Sequence, residues 1–310
     1  MSEKESANIK SRKQLIGNII LIFVAFIWGT AFAVQRIGME HIEPITFTAA
    51  RMSLAAVVVG AVSMLQKKKS FSDENEKIDY RKNTLLGGLL CGAFLVSASI
   101  FQQVGIVYTT AGKAGFITAL YILLVPILSF LIFKKKNTLL VWAGVIIGVI
   151  GMYLLCMKES LRLSYGDALI CVCAILFSGH ILCCDHYAKR GNPIRISSIQ
   201  FTVTAVVSWI IAFIVEAPSM DKIISAAVPI LYCGLISAGL GYTLQMIAQR
   251  LTEPTIASML MSLESVFAVL GGAVLLNERM SLREIAGCII MFIAIILVQL
   301  PVSRDASSRS

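Results

Sequence analysis

The sequence predicts an all-α membrane protein with ten transmembrane helices, which are arranged as two inverted five-helix repeats. Of the 310 residues, 57% are hydrophobic and 15% are charged, whereas soluble domains are about 45–50% apolar and about 25% charged. The apolar residues gather in runs of roughly 20 residues, and the two halves of the chain match each other at a nearly constant offset. Composition and run length indicate a membrane protein, and the offset indicates a duplication.

The apolar runs define the predicted helices in chain order. Each is close to the ~20 residues that cross a hydrocarbon core of ~30 Å. Lipid offers no hydrogen-bond partner to a peptide group, so each run is expected to be helical. Apart from the polar stretch 66–83, the connections are short, which leaves no soluble domain. The predicted helices are 15–35, 44–65, 84–106, 113–133, 138–157, 166–186, 194–215, 225–248, 255–276 and 282–300.

The first run follows a basic segment, as the apolar part of a signal peptide does. No small-residue cleavage site follows it, however, and the run is long enough to span a membrane. We therefore predict an uncleaved first helix that is preceded by a short tail, 1–14.

Basic residues are unevenly divided between the two sides of the predicted bundle. With the N-terminus inside, the inner segments hold 19 of the 27 Lys and Arg residues and the outer segments hold 7, while Arg51 lies within the second helix. This excess favours a cytoplasmic position for both tails, 1–14 and 301–310, in a protein of the cell membrane. It also explains the net charge of +9 without a basic soluble face, which argues against a nucleic-acid partner.

Residues of the first half recur in the second half. At an offset of 149 residues Pro44 matches Pro193, and beyond the long polar stretch the offset becomes 143, where Gln102 matches Gln245. The change in offset equals the extra length of that polar stretch. We weigh Gly, Pro and Gln matches most, because chance matches among apolar residues are common.

The repeat predicts two structural halves, 15–157 and 166–300. Each half holds five helices, and this odd number forces the second half to insert upside down relative to the first. Inverted repeats of this kind place a binding site near the bilayer midplane, between the two halves. Exchange between two related arrangements then exposes that site to one side of the membrane and afterwards to the other.

A set of short motifs occurs in a defined order along the chain. The motifs are Trp28-Gly29, Thr110–Phe116, Thr118–Tyr121, Gly166–Ala168, Leu263–Phe267 and Asn277–Arg279. Together they resemble the drug/metabolite transporter superfamily, and specifically its EamA-like ten-helix permeases. The resemblance implies secondary transport of amino acids, metabolites or drugs, often outward. Lys113 and Lys135 depart from the family pattern, so the resemblance does not carry a substrate over to this chain.

Ionisable side chains within the predicted helices are the first candidates for a binding site, because each costs about 2.5–3.5 kcal/mol on insertion scales. Glu264 lies near the middle of the ninth helix, where its carboxylate binds an ammonium group or a proton, or else packs against neighbouring helices. Arg51 lies within the second helix, where it attracts an anionic group, or else is paired or snorkels to the interface.

Polar residues that the repeat relates to one another form a second set of candidates. Ser99 and Gln102 share a face of the third helix, and Tyr242 and Gln245 share a face of the eighth. We expect these faces to be opposite walls of a central cavity, with interhelical hydrogen bonding as the alternative.

Trp28, Tyr121 and His180 complete the expected cavity. The alternative for the aromatic residues is packing or interface anchoring. His180 either relays a proton or is a core histidine whose hydrogen bonds are satisfied.

The eight cysteines lie within or at the ends of apolar segments, and we expect reduced, space-filling thiols. The sequence contains no Cys/His spacing typical of a metal site, so neither a metal nor a cofactor is expected. It also lacks a phosphate-binding loop for ATP and the motifs of hydrolases, so the protein is not expected to be an enzyme.

Three functions remain open at this point. The first is a secondary carrier, acting as an exporter of small organic solutes and driven by the solute gradient or a coupled proton. The second is a carrier of sugar phosphates or nucleotide sugars, which calls for more cavity cations than Arg51 and Lys113 supply. The third is a membrane-embedded enzyme or sensor. We expect the lipid bilayer and a small-molecule solute as partners, and a monomer or weak homodimer.

Overall fold

The computed structural model describes residues 3–67, 69–71, 73–109, 111–135, 137–156, 164–275 and 281–299. Within these ranges the secondary structure is helical and no strand occurs, which confirms the predicted all-α class. Three predicted features lie outside the described residues: the tail 301–310, the motif Asn277–Arg279 and the side chain of Lys113.

The described helices follow the predicted order, and we number them α1 to α10. They are α1 Glu3–Gly38, α2 Pro44–Leu65, α3 Glu74–Val107, α4 Ala111–Ala119 with Tyr121–Phe133, α5 Leu139–Cys156, α6 Tyr165–Ala188, α7 Pro193–Val215, α8 Ala227–Leu231 with Tyr232–Tyr242 and Thr243–Gln249, α9 Pro254–Met261 with Glu264–Leu275, and α10 Leu282–Gln299. Eight of them are long and apolar enough to cross a membrane, and the apolar stretches of α5 and α9 are shorter. A short helix, Met220–Ser225, precedes α8.

Two helices begin earlier than the apolar pattern indicates. α1 starts at Glu3, within the predicted tail, and α3 starts at Glu74, within the polar stretch. The first turn of α3 carries Glu74 and Glu76, whose charges stabilise a helix N-terminus. The Lys77 amine also lies 2.9 Å from the Glu74 carboxylate. Local charge pairing therefore extends α3 beyond the apolar residues that predicted it.

Three helices that were predicted to be continuous are irregular. α4 is interrupted at Leu120 and α9 at Ser262 and Leu263, and Leu120 matches Leu263 at the offset of 143. At the α9 break the Ser262 hydroxyl donates to the Met259 carbonyl at 2.7 Å, a contact that competes with the helix ladder. In α8, Tyr232–Tyr242 is a π-helix, a geometry that is rare and often occurs at functional sites.

The helix contacts are symmetric under exchange of the two halves. α2 packs on α7 and α5 packs on α10, so these pairs map onto themselves. Exchange of the two halves converts the α3–α6 contact into the α8–α1 contact. It likewise converts the α1–α9 contact into the α6–α4 contact. The two five-helix repeats are thus related by a pseudo-two-fold axis that runs through the centre of the bundle.

Close contact between α5 and α10 depends on two glycines. A methyl group added at Gly287 would lie 2.7 Å from the carbonyl oxygen of Gly151, and one added at Gly151 would lie 3.0 Å from the carbonyl oxygen of Gly287. Both atoms belong to backbone, which cannot rotate away. The small residues therefore serve packing within one molecule, as membrane helices commonly use them.

Replacing Gly287 by alanine is expected to destabilise the protein, because the added methyl meets the α5 backbone. Overpacking of this kind costs about 1–3 kcal/mol. The measurement is the thermal unfolding midpoint of the purified protein in detergent. Gly115→Ala is the matched control, because a methyl at Gly115 meets nothing within 4 Å. Equal midpoints for the two variants would contradict the packing argument.

Candidate functional site

A polar cavity lies at the centre of the bundle between both repeats. Its volume is about 40 Å³, well below the range of about 300–1,000 Å³ found for small-molecule sites. The cavity is therefore narrow in this conformation. Eight of the nine predicted site residues line it: Trp28, Arg51, Gln102, Tyr121, His180, Tyr242, Gln245 and Glu264.

The lining residues occur in pairs that the repeat relates to one another. The pairs at the offset of 149 are Trp28 with Phe177, Ala31 with His180 and Phe32 with Ile181, and those at 143 are Gln102 with Gln245 and Tyr121 with Glu264. A cavity that is lined by equivalent residues from both halves lies on the pseudo-two-fold axis, as the inverted repeat predicts.

A hydrogen bond between Tyr121 and Glu264 crosses this axis. The Tyr121 hydroxyl donates to Glu264 Oε1 at 3.0 Å, and each residue is only 3% exposed. Both lie immediately after the break in their own helix, α4 or α9. A methyl group added at Gly29 would lie 2.6 Å from the Glu264 carbonyl oxygen. α1 therefore packs directly on the backbone at the α9 break.

Arg51 is a buried cation on the wall of the same cavity. Its guanidinium donates to Gln35 Oε1 at 3.1 Å and lies 5.7 Å from the centroid of the Phe47 ring, which is within the range of a cation–π contact. The Arg51 Nε group has no hydrogen-bond partner. Among the described residues no carboxylate lies within ion-pair distance of Arg51. The arginine is therefore buried at the cavity and, among the described residues, has no anionic partner there.

Aromatic rings form another wall of the cavity. Trp28 Nε1 donates to the Ser237 carbonyl oxygen in the π-helical part of α8 at 3.1 Å, and the centroid of its ring lies 4.8 Å from that of Tyr242. The His180 ring contacts Tyr242 edge-on at 5.8 Å. His180 Nε2 lies 3.0 Å from Gln200 Oε1, so His180 both faces the cavity and has a hydrogen-bond partner.

The two glutamines line the cavity, but Ser99 does not. Gln102 donates to the Thr118 hydroxyl at 3.3 Å, and Gln245 Oε1 has no hydrogen-bond partner. Ser99 is fully buried and is absent from the cavity lining. Ser99 matches Tyr242 in the repeat. The short serine side chain does not extend as far as the cavity, whereas the longer tyrosine side chain does. Of the two residues predicted on α3, only Gln102 therefore lines the cavity.

Three polar residues at the site were missed by sequence reasoning: Thr118, Gln200 and Ser237, which lines the cavity from α8. Thr118 lines the cavity and accepts a hydrogen bond from Gln102. Gln200 on α7 holds His180 from behind. A signal for Gln200 was present, because it matches Arg51 at the offset of 149; each residue contacts a polar side chain of the preceding helix.

The cysteines need one correction. All those with described side chains are free thiols, in agreement with the expectation of reduced cysteines. Cys91, His180 and Cys184 nevertheless converge, with their potential ligand atoms within 4.8 Å of one another. Linear spacing did not indicate this cluster because Cys91 comes from α3, which packs on α6 only in the folded bundle.

Polar contacts link neighbouring segments at both ends of the bundle. At the end with the α1–α2 connection, Lys222 pairs with Glu43. There the Glu216 carboxylate also accepts hydrogen bonds from the backbone amides of Ile45 and Thr46 at 2.9 and 2.7 Å.

At the opposite end Lys135 lies 3.8 Å from Asp185 and 3.3 Å from Glu253. Apart from Trp28, which is half-buried, the described lining residues of the cavity are buried. The residues around the cavity therefore expose little of their surface to solvent in this conformation.

The chain is similar to known proteins over nearly its whole length. The sequence model of the EamA-like transporter family matches it twice, at residues 15–157 and 164–300. An uncharacterized transporter of Archaeoglobus fulgidus is 29% identical over 96% of this chain and 91% of its own length. The uncharacterized transporter YoaV of Bacillus subtilis is 22% identical over 92% of this chain and 97% of its own.

One solved crystal structure has the same fold. It superposes with a TM-score of 0.73 at 16% identity and covers 93% of this chain and 96% of the solved one. The double family match, the paired helix contacts and the apolar helices agree that this is a multi-pass membrane transporter. The chain belongs to the EamA-like transporter family.

Proposed function

We propose that the protein is a secondary transporter that exports small zwitterionic solutes, amino acids in particular, by alternating access. The observation that carries the proposal is that a buried cation and a buried carboxylate, Arg51 and Glu264, line one central cavity without contacting each other. A charge buried alone is costly, and a ligand that supplies the opposite charge offsets the cost. A zwitterion supplies both charges at once.

The contacts of the two ions fit such a ligand. Arg51 has one nitrogen bound to Gln35 and its Nε unpaired, so the guanidinium retains donors for a carboxylate. Among the described residues, the Glu264 side chain hydrogen-bonds only the Tyr121 hydroxyl, so its second oxygen is left for an ammonium group. The ring of Trp28 faces the space between them, where an apolar or aromatic side chain packs.

Alternating access follows from the pseudo-two-fold axis. The Lys222–Glu43 pair closes one end of the bundle and the Lys135 pairs close the other. Opening one set while the other stays formed exposes the cavity to a single side of the membrane. We propose that both termini are cytoplasmic, in a protein of the cell membrane, from the distribution of Lys and Arg. On this orientation the Lys135 pairs lie at the inner end.

A coupled proton is part of the proposal. Protonation of Glu264 removes its attraction for the ammonium group, so a proton and the solute compete for the same carboxylate. A proton that enters from outside then releases the solute outward. The outward direction is supported by the resemblance of the motifs to permeases that often act as exporters.

Counterflow in proteoliposomes tests the proposal. Vesicles with purified protein are loaded with unlabelled amino acids, and uptake of one labelled amino acid is followed. Saturable exchange that an acidic exterior stimulates is the expected result. Exchange of sugar phosphates in place of amino acids would overturn the substrate class, and chemical turnover without translocation would overturn the transporter mechanism.

Glu264→Gln is expected to reduce amino acid counterflow at least tenfold while the protein level in the membrane stays unchanged. The amide keeps the shape and the Tyr121 contact but loses the charge that binds ammonium. Transport that depends on the proton gradient is expected to disappear as well. Glu76→Gln is the control, since Glu76 lies in the first turn of α3, outside the cavity and the end contacts, and its side chain is 54% exposed. Unchanged counterflow in Glu264→Gln would remove this residue from the site.

Arg51→Gln is expected to weaken binding of amino acids at least tenfold, a loss of about 1.4 kcal/mol. The loss should be absent for amino acid methyl esters, which lack the carboxylate that Arg51 holds. The measurement is ligand-induced thermal stabilisation of the purified protein. Arg195→Gln, at an exposed position on α7, serves as the control. Equal losses for acid and ester would indicate that Arg51 has a purely structural role.

Glu43→Gln is expected to open the α1–α2 end, because it removes the charge that holds Lys222. An impermeant maleimide should then label Phe32→Cys faster than in the otherwise unchanged protein. Lys222 donates a hydrogen bond to Glu43 and lowers the pKa of that carboxyl. Because its pKa is lowered, the Glu43 carboxyl stays charged and keeps its contact with Lys222 at any pH above the ordinary glutamate pKa. It loses the contact as the pH falls through the lowered pKa.

With Glu43 intact, labelling of Phe32→Cys should therefore stay slow from pH 7 down to about 5 and rise only below about 4. Glu216→Gln weakens the neighbouring contact of the Glu216 carboxylate with the amides of Ile45 and Thr46. Labelling of Phe32→Cys in that variant is a second test of the same end of the bundle. Labelling that is fast at pH 7 in the unchanged background would contradict this gate.

A further inference from the structure

Three thiols and one imidazole converge where α3 packs on α6. Cys91 on α3 lies with its sulfur 3.3 Å from that of Cys183 and 3.7 Å from that of Cys184. The Cys184 sulfur is 3.5 Å from His180 Nε2 and 3.8 Å from Nδ1. We call these four residues the thiol cluster. It is buried apart from Cys183, which is half-buried, and nothing in the proposed transport cycle uses the sulfur atoms.

Two separations within the thiol cluster are close to those of a tetrahedral metal site. With Zn–S bonds of about 2.3 Å and Zn–N bonds of about 2.0–2.1 Å, a tetrahedron places two sulfurs about 3.8 Å apart and a sulfur and a nitrogen about 3.5 Å apart. The sulfurs of Cys91 and Cys184 are 3.7 Å apart, and the Cys184 sulfur lies 3.8 Å from His180 Nδ1. The remaining edge, between Cys91 and His180, is within 4.8 Å and closes by rotation of side chains.

Gln200 orients the imidazole of the cluster. Its Oε1 lies 3.0 Å from His180 Nε2. In the tautomer in which Nε2 donates to Gln200, the lone pair of Nδ1 is left for a ligand on the side of Cys184. A ligating histidine that donates its other N–H to a fixed oxygen is the usual arrangement at metal sites, where it sets the ring orientation.

Charge selects the type of ion. Thiolate and imidazole ligands favour zinc-like or softer cations over magnesium or calcium. A divalent cation bound by two thiolates and a neutral imidazole is neutral overall, which suits an apolar helix interface. Binding releases two thiol protons to solvent and forms two metal–sulfur bonds and one metal–nitrogen bond, with no change in oxidation state. Cys183 is close enough to supply the fourth ligand.

From these observations we propose that Cys91, His180 and Cys184 form a binding site for zinc or a similar thiophilic divalent cation. The site joins α3 of the first repeat to α6 of the second, and His180 also lines the central cavity. A bound ion therefore restrains the motion of one repeat against the other. Occupancy of the site is expected to inhibit transport.

Metal binding to the purified, fully reduced, full-length protein tests this site. Zinc is titrated against a chromophoric chelator, and cadmium is titrated while the ultraviolet thiolate-to-metal charge-transfer absorption is recorded. We expect one ion per chain, together with a cadmium absorption for two or three thiolates. Cys91→Ser and Cys184→Ser should each weaken zinc binding at least tenfold. Cys173→Ser, a buried free thiol on α6 outside the cluster, should leave it unchanged.

Several results would overturn the site. One is wild-type protein that binds less than a tenth of an equivalent of zinc. Another is binding that Cys91→Ser and Cys184→Ser leave intact, since the ion would then lie elsewhere. A cadmium complex without thiolate absorption would do the same. Cys91→Ala provides an apolar replacement if the serine variant fails to fold, and the unfolding midpoint without metal reports folding of every variant.

Discussion

The hydrogen bond between the Tyr121 hydroxyl and the Glu264 carboxylate, 3.0 Å long and crossing the pseudo-two-fold axis, is the contact on which the centre of this molecule depends. It joins the two residues that follow the matched breaks in α4 and α9, where each helix leaves its regular ladder. Because the two residues are equivalents in the repeat, the contact belongs equally to both halves. It holds a carboxylate at mid-depth in an apolar bundle, where a carboxylate is otherwise costly.

The remainder of the cavity is organised around this contact by close backbone packing. Gly29 allows α1 to lie against the carbonyl group of Glu264, and Gly241 does the same for the indole of Trp28, since a methyl there would lie 2.7 Å from Nε1. Arg51 occupies another wall with Gln35 as its polar neighbour. The site thus presents both signs of charge and unpaired polar atoms within one enclosed volume, while the apolar faces of the helices remain directed toward lipid.

The sequence predicted the helix order, the repeat and most of the cavity residues, because each leaves a local or periodic signal. Spans of about 20 apolar residues have few alternatives in lipid, and the matches of Gln102 with Gln245 and Pro44 with Pro193 identify the duplication. Ser99 was placed at the cavity by helical spacing alone, which does not account for side-chain reach. The breaks in α4 and α9 and the π-helix do not alter the apolar pattern from which the helices were predicted. The convergence of Cys91 with His180 arises from a contact between distant segments, and such contacts leave no pattern in the linear chain.

The π-helix of α8 has no counterpart in the other half. The residues of α3 that match Tyr232–Tyr242 belong to a regular α-helix, so the two repeats are equal in topology but unequal in backbone geometry. In the proposed alternating-access cycle, the conformation facing one side of the membrane and the conformation facing the other would therefore not be symmetry equivalents. An empty carrier with such unequal halves would favour one side, and this resting orientation would come from its own backbone before any solute or ion gradient acts on it.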